Sequence, residues 1–126
     1  MNNILSTEEF QLEIEWDLNS GIINSILNSN PIEGVANNIG GEVFFYQYDL
    51  DIPFNGEEKE VFEEGDVIYW KSPTDPKKFG ILFMYGNTDY GDGTKPRTSS
   101  PGIKIGIIKD IKSISKISTG SILKLG

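Results

Sequence analysis

The sequence contains no histidine and no cysteine, and these two absences limit the chemistry open to the protein. Histidine is the commonest general base and transition-metal ligand, and cysteine supplies thiolates and disulfides. A His-based triad, a Cys–His pair and an ordinary zinc site are therefore excluded. We predict no catalytic residue, no metal site and no cofactor. Any catalysis would depend on carboxylates, lysine, tyrosine, a hydroxyl group or Arg97, which is the single arginine.

Positive charge and long apolar runs are also scarce. Eleven lysine and arginine residues stand against 19 aspartate and glutamate residues, which gives a formal net charge of −8. An acidic surface repels phosphate backbones, so nucleic acid is not an expected partner. No stretch approaches the roughly 20 apolar residues of a membrane span, and the polar start lacks the basic and apolar regions of a signal peptide. We expect a cytoplasmic protein that does not bind membranes.

We expect the 126 residues to form a single domain over 1–126. Most of the recognisable patterns in this sequence are those of β-strands. In FQLEIEW, residues 10–16, apolar and polar side chains alternate, which predicts a strand with one buried face. Three further stretches are rich in aromatic and β-branched residues, as is typical of strands. They are EVFFYQY (42–48), DVIYW (66–70) and FGILFMYG (79–86), and IKIGIIKDI and SILKLG predict two more strands towards the C-terminus.

Two short segments show helical spacing instead. NSGIINSILNSNP places Ile22, Ile23, Ile26 and Leu27 on one helix face, with Asn19 or Ser20 as the N-cap. DIKSISKISTG predicts a second helix that begins after Asp110 and ends at Gly120. The segments 49–60 and 87–102 are rich in proline, glycine and charge, which predicts loops. The whole pattern predicts a mainly β fold: a closed or nearly closed antiparallel β-barrel with two short capping helices.

Carboxylates gather just before the DVIYW strand, and two interpretations compete. A pair of them could perform acid/base catalysis, which requires a defined separation and one raised pKa. The favoured interpretation is a solvated turn, in which Gly65 permits the tight backbone and Asp66 forms a local hydrogen bond. The residues concerned are Glu57, Glu58, Glu60, Glu63, Glu64 and Asp66.

The strand aromatics carry the most specific functional expectation. Most of them should be core residues, but the outer face or mouth of a barrel can form an apolar groove with a few polar groups. Trp70, Tyr85, Tyr90 and Arg97 are candidates for such a groove. An arginine near aromatic rings suits the anchoring of a carboxylate or carbonyl group. A surface arginine without that role is the competing interpretation.

The order of these segments resembles the small prokaryotic cyclophilin-like domain family. The resemblance extends over nearly the whole chain, from PIEGVANNIGGEVFF through EEGDVIYW and ILFMYGNTD to GIKIGIIKDI. The GDVxYW core at residues 65–70 is its most specific part. Asn37 and Thr88 lie in segments that match the family, and they complete the candidate ligand-binding set.

The resemblance implies a cyclophilin-type barrel whose biochemical role is not established. True cyclophilins isomerise X–Pro bonds with an arginine among aromatics, a glutamine and a histidine, whereas this chain has no histidine and no arginine before position 97. We therefore expect a binding domain that holds a peptide or small molecule in an aromatic groove, without prolyl isomerase activity. The alternatives are a divergent peptidyl-prolyl cis-trans isomerase that uses Arg97, and a subunit of a larger enzyme assembly.

Overall fold

The structure is a computed structural model that describes residues 4–17, 21–28, 32–48, 52–86 and 95–125. Most of the described residues lie in strands, and two short helices accompany them. The strands are β1 Ile4–Ser6, β2 Gln11–Glu13, β3 Glu15–Trp16, β4 Ile32–Val35, β5 Asn37–Asn38, β6 Glu42–Tyr48, β7 Glu58–Val61, β8 Asp66–Lys71, β9 Lys78–Met84, β10 Arg97–Ile107 and β11 Ile122–Leu125. The helices are α1 Gly21–Asn28 and α2 Ile111–Ser115, and neither is long and apolar enough to cross a membrane.

The strands form two antiparallel sheets, so the predicted mainly β fold is confirmed. The smaller sheet has the order β2-β1-β11-β4. The larger sheet has the order β3-β10-β8-β9-β6-β5, and β7 pairs with β10 beside this path. In the described ranges these strand pairs close neither sheet on itself, and the closed barrel stays a prediction.

The main hydrophobic core joins the two sheets. Leu5 and Leu123 of the smaller sheet belong to the same buried cluster as Val43 and Phe45 of the larger one. The sheets approach closely at Gly34, where a Cβ atom would lie only 2.4 Å from Cδ2 of Phe45. Glycine is therefore required at this contact, and the Phe45 ring occupies the space that a side chain would take.

The larger sheet is apolar on both faces at its centre. In β8, Val67 and Tyr69 point into the main core, whereas Ile68 and Trp70 belong to a separate cluster. The inner face of the sheet is thus the one against the main core, and the opposite face is its outer face. The separate cluster, called the outer cluster below, contains Phe62, Ile68, Trp70, Leu82 and Met84, with Phe44 and Tyr46 partly buried against it.

The predicted alternation in residues 10–16 is confirmed, because Leu12, Ile14 and Trp16 are buried between exposed polar neighbours. The segment nevertheless forms two strands, since β2 joins the smaller sheet and β3 the larger one. A single alternating stretch can therefore cross from one sheet to the other while its apolar side chains stay in the same core.

Both predicted helices are present. The side chain of Asp110 accepts a hydrogen bond from Ser113 N at 3.2 Å, as expected of an N-cap. Helix α2 ends with Lys116 as its C-cap, earlier than the predicted end at Gly120, which has a φ of 96° in a turn beyond the helix. For α1, Asn19, Ser20 and the side chain of Leu27 lie outside the described residues.

Two predicted loops are partly strands. The first three of the four residues of β7 lie in the segment 49–60, and the first half of β10 lies in 87–102. The two pair with each other, with Arg97 opposite Val61 and Gly102 opposite Lys59. Their composition is polar and rich in turn-forming residues, so local propensity favoured loops, and the tertiary pairing overrides it.

The turn before β8 agrees with the predicted solvated turn except that Asp66 is buried. Gly65 has a φ of 93°, and Glu63 N donates to Asp66 Oδ2 at 2.9 Å, so the predicted tight turn and local hydrogen bond are confirmed. Asp66 itself is only 2% exposed and lies 3.1 Å from Lys104 Nζ on β10. The Glu63 N–H and the Lys104 ammonium group take the place of water around this buried carboxyl group.

Candidate functional site

A shallow cleft opens on the outer face of the larger sheet, above the outer cluster. Its volume is about 70 Å³. That is far below the roughly 300–1,000 Å³ of a pocket for a whole drug-sized ligand, so it suits one side-chain head or another small group. We call it the outer cleft; its lining residues are Glu42, Phe44, Tyr46, Trp70, Leu82, Thr98 and Ser99.

Trp70 lines the outer cleft. The residue is 9% exposed, and its Nε1 donates to Ser100 Oγ at 2.6 Å, which fixes the ring against β10. The ring of Tyr46 lies 6.0 Å away, centroid to centroid, at an interplanar angle of 44°. These distances are those of interacting aromatic pairs, so the two rings form one continuous wall.

Glycines flank Trp70 in both neighbouring strands. Trp70 pairs with Gly80 of β9 on one side and with Gly102 of β10 on the other. A Cβ atom on Gly80 would lie 3.3 Å from Trp70 Cε3 and 3.4 Å from Tyr46 Cδ1 and Leu82 Cδ1. Because Gly80 has no side chain, the space between these three lining residues stays open.

The cleft combines this aromatic wall with a carboxyl group. Glu42 at the start of β6 is 3% exposed and contributes to the lining beside the aromatic rings. Lys78, which is not a lining residue, has its Nζ over the ring of Tyr46 at 4.0 Å from the centroid, within the range of a cation–π interaction. Thr98, also in the lining, donates through Oγ1 to Ser100 O at 2.6 Å.

The structure places the six predicted ligand-binding residues in different surroundings. Trp70 lines the cleft. Arg97 is next to Thr98 in β10, with Nη2 3.8 Å from Glu60 Oε2 and a side chain that is 41% exposed. Thr88 and Tyr90 lie outside the described residues.

The remaining two, Tyr85 and Asn37, make structural contacts outside the lining of the cleft. Tyr85 packs against the main core and donates to Asn38 Oδ1 at 2.6 Å. Asn37 lies opposite Phe44 on the neighbouring strand β5, and its Nδ2 donates to Val35 O at 3.3 Å. Neither belongs to the lining of the cleft.

Most of the lining was missed by sequence reasoning. Glu42, Phe44 and Tyr46 alternate in β6, so a period of two places them on one face of the strand. That spacing was the available signal for a carboxylate beside aromatic rings. Thr98 and Ser99 could not be found in this way, because the segment that contains them was predicted as a loop.

A larger depression, of about 460 Å³, lies elsewhere on the surface. Its lining combines acidic side chains with Lys59 and Lys104 and contains no aromatic residue. Within the described ranges, no three acidic side chains are grouped so that they could hold a metal ion. The outer cleft is therefore the candidate site that joins aromatic surface with a buried carboxyl group.

Two comparisons relate the chain to known proteins. The structure is similar to the solution structure of the hypothetical protein AF2241 from Archaeoglobus fulgidus, with a TM-score of 0.68 and 24% identity over 99% of this chain and 93% of that one. No curated protein matches. A family model described as cyclophilin-like matches residues 3–125. Because the match includes nearly every residue, the chain belongs to the cyclophilin-like family.

Proposed function

We propose that this cyclophilin-like domain binds a peptide segment across the outer face of its larger sheet, with one side chain of the peptide in the outer cleft. The observation that supports this most directly is the outer cluster. An antiparallel sheet commonly has one face on the core and one polar face in water. Here the second face carries Phe44, Tyr46 and Trp70 around an open cleft.

The chemistry of the lining fits recognition rather than catalysis. Tryptophan and tyrosine are enriched among the residues that contribute most to binding energy at interfaces, because they offer large rigid surfaces with a polar tip. Trp70 is held by its hydrogen bond to Ser100, so little freedom is lost when a ligand packs on it. The small volume of the cleft suits a single side chain of an extended peptide.

The two tryptophans give a direct binding assay. Trp70 lines the outer cleft, whereas Trp16, which is also 9% exposed, packs in the main core, so their two indole N–H resonances report on the site and on the fold separately. We expect members of a set of acetylated Ala-Xaa-Ala amides to shift the Trp70 signal and leave that of Trp16 in place. If no member shifts the Trp70 signal at millimolar concentration, the proposal is wrong.

Gly80→Ala is the variant that tests the cleft itself. The added methyl group would contact Trp70, Tyr46 and Leu82 at 3.3–3.4 Å, which narrows the cleft without requiring a left-handed backbone. We expect binding to weaken by about tenfold, equivalent to about 1.4 kcal/mol. Gly21→Ala is the matched control, since nothing lies within 4 Å of its Cβ position. Equal affinities in the two variants would contradict binding in the cleft.

A divergent prolyl isomerase is the second candidate, because Arg97 adjoins the lining residue Thr98. Polarisation of a prolyl amide would require the guanidinium group to leave its position beside Glu60 and reach the cleft. We propose that the domain lacks this activity. A protease-coupled X–Pro peptide assay should give the uncatalysed rate, and a faster rate that is lost in Arg97→Ala would establish the isomerase instead.

A further inference from the structure

We infer that the outer cleft selects a cationic side chain, namely the ammonium group of a lysine in the bound peptide. This inference rests on the proposed function, because it assigns the chemical class of the side chain that enters the cleft. It is carried by the juxtaposition of the Glu42 carboxylate with the aromatic wall of Phe44, Tyr46 and Trp70.

The carboxylate of Glu42 supplies the first half of the recognition. Its residue is 3% exposed, and at such a position water screens the attraction between a carboxylate and a cation far less than at the surface. A charged group in such surroundings attracts the opposite charge strongly and disfavours another anion. An ammonium group in the cleft would approach Glu42, whereas a carboxylate ligand would be repelled.

The aromatic wall supplies the second half. The face of an aromatic ring attracts cations through its quadrupole, most strongly for tryptophan, followed by tyrosine and phenylalanine. The structure already contains one cation–π interaction with this wall, because Lys78 Nζ lies 4.0 Å from the centroid of the Tyr46 ring. The wall thus binds an ammonium group of the chain itself. Lys78 is also a competitor, because its charge repels a second cation.

Size and net charge agree with this assignment. About 70 Å³ accommodates an ammonium head with its last methylene groups, and a long aliphatic stem can lie along the apolar rim. The formal net charge of −8 attracts basic peptides over longer distances. A lysine-containing segment therefore combines the charge and the shape that the cleft offers.

Four peptides of the form acetyl-Ala-Xaa-Ala-amide test the assignment, with Xaa as lysine, trimethyllysine, norleucine or glutamate. Binding is measured from the shift of the Trp70 indole resonance, with Trp16 as the reference for the fold. We expect lysine and trimethyllysine to bind at least about tenfold more tightly than norleucine, as expected when a cation–π contact and an ion pair are added. Glutamate should give no shift.

The contribution of the carboxylate is tested with Glu42→Gln, which keeps the shape and removes the charge. We expect the preference for lysine over norleucine to shrink to about twofold or less while norleucine affinity is retained. Glu33→Gln is the control, because Glu33 is an exposed glutamate on β4. A Trp16 resonance at its wild-type position would show that Glu42→Gln is folded. If this variant does not fold, Glu42→Asp is the alternative, because the shorter side chain keeps the carboxyl group but holds it farther from the ligand. Glu42→Asp should reduce the preference for lysine partially.

Lys78→Met provides an independent test that leaves Glu42 intact. Removal of the competing ammonium should strengthen lysine binding by about twofold to fivefold. Lys71→Met is a matched control, since Lys71 Nζ lies 5.9 Å from the ring of Phe79, which belongs to the main core instead. Equal gains in both variants would mean that only net charge matters, and would overturn the role of the cleft.

The outcomes separate the two proposals. Norleucine binding as tightly as lysine would overturn the cationic assignment and leave the peptide-binding function standing. No binding by any of the four peptides or by the wider Ala-Xaa-Ala set would remove both. If free n-butylammonium bound as tightly as the lysine peptide, the cation site would be retained and the assignment to a peptide would be wrong.

Discussion

The inner and outer faces of the larger sheet are both apolar at its centre, but they differ in what covers them. Tyr69 and Trp70 are neighbours in β8 and point to opposite faces. Tyr69 is completely buried, and its hydroxyl donates to Ile52 O at 2.8 Å. Trp70 is 9% exposed, donates to the side chain of Ser100 and borders an open cleft.

This difference separates side chains that hold the fold from side chains that are available to a ligand. On the inner face the smaller sheet and α1 complete the packing, and Phe45, Tyr69 and Phe83 are completely buried. On the outer face the described residues cover the rings only in part. The following changes measure how far the two faces differ.

The largest difference is expected between Phe45→Ala and Phe44→Ala, which remove the same side chain from adjacent positions. Phe45 is completely buried in the main core, so its loss should lower the free energy of unfolding by about 3–5 kcal/mol. Phe44 is half-buried at the cleft, and its loss should cost about 1–2 kcal/mol while weakening peptide binding. Urea unfolding measures both; equal losses would mean that the outer face is as much a core as the inner one.

The buried hydroxyl of the inner face gives the next effect. Tyr69→Phe leaves Ile52 O without its donor, which should cost about 1–3 kcal/mol. Burial also raises the pKa of Tyr69, so its contribution to stability is complete below the unfolded pKa of about 10 and is lost as pH rises through the folded value. Stability should therefore fall above about pH 10, less steeply in Tyr69→Phe.

Tyr48→Phe is the control for that measurement, because Tyr48 is 55% exposed. Unfolding in urea at a series of alkaline pH values should show the wild-type slope for this variant. A slope that is the same in Tyr69→Phe and wild type would contradict the coupling of Tyr69 ionisation to unfolding.

The corresponding hydrogen bond on the outer face should matter less. Ser100→Ala removes the acceptor of Trp70 Nε1, and we expect a loss of about 0.5–1.5 kcal/mol, because this hydrogen bond is only partly buried and Ser100 is half-buried. The Trp70 indole resonance should move, whereas Ser99→Ala should leave it in place. A loss larger than that of Tyr69→Phe would reverse the order of the two faces.

The smallest effect on stability is expected from the replacement of Lys78. Lys78→Met removes the cation from the Tyr46 ring and should change stability by no more than about 1 kcal/mol. Thermal unfolding of this variant and of Lys71→Met should therefore nearly coincide. A large loss in Lys78→Met alone would mean that this lysine is part of the structural core of the outer face.

The strands with clear alternation were predictable, and so was the turn at Gly65, because period and turn chemistry are local properties. The two faces of β8 were not distinguishable, since Val67, Ile68, Tyr69 and Trp70 are all apolar or aromatic. Only the partner elements decide that Tyr69 is covered and that Trp70 borders a cleft. For the same reason Trp70 was a sound candidate, while the burial of Glu42 beside it was not foreseen.

The strand β7 shows more clearly which strands cannot be predicted from the local sequence. All four of its residues are exposed, and its sequence is EKEV, which carries no sign of burial. It forms a strand because β10 offers it a partner, and β10 in turn supplies Thr98 and Ser99 to the cleft. Residues that are brought to a site by pairing over a long sequence distance leave little local trace.

The glycines beside Trp70 have a consequence for how relatives of this chain can be sorted. At Gly80, and across the sheet at Gly102, where a Cβ would lie 2.6 Å from Ile68 Cγ2, the missing side chains set the dimensions of the outer face. A relative with a larger residue at the position of Gly80 would have a filled face and should not bind as proposed. The residue at the position of Gly80 thus determines the width of the cleft, and the sequences of relatives can be compared at this one strand position.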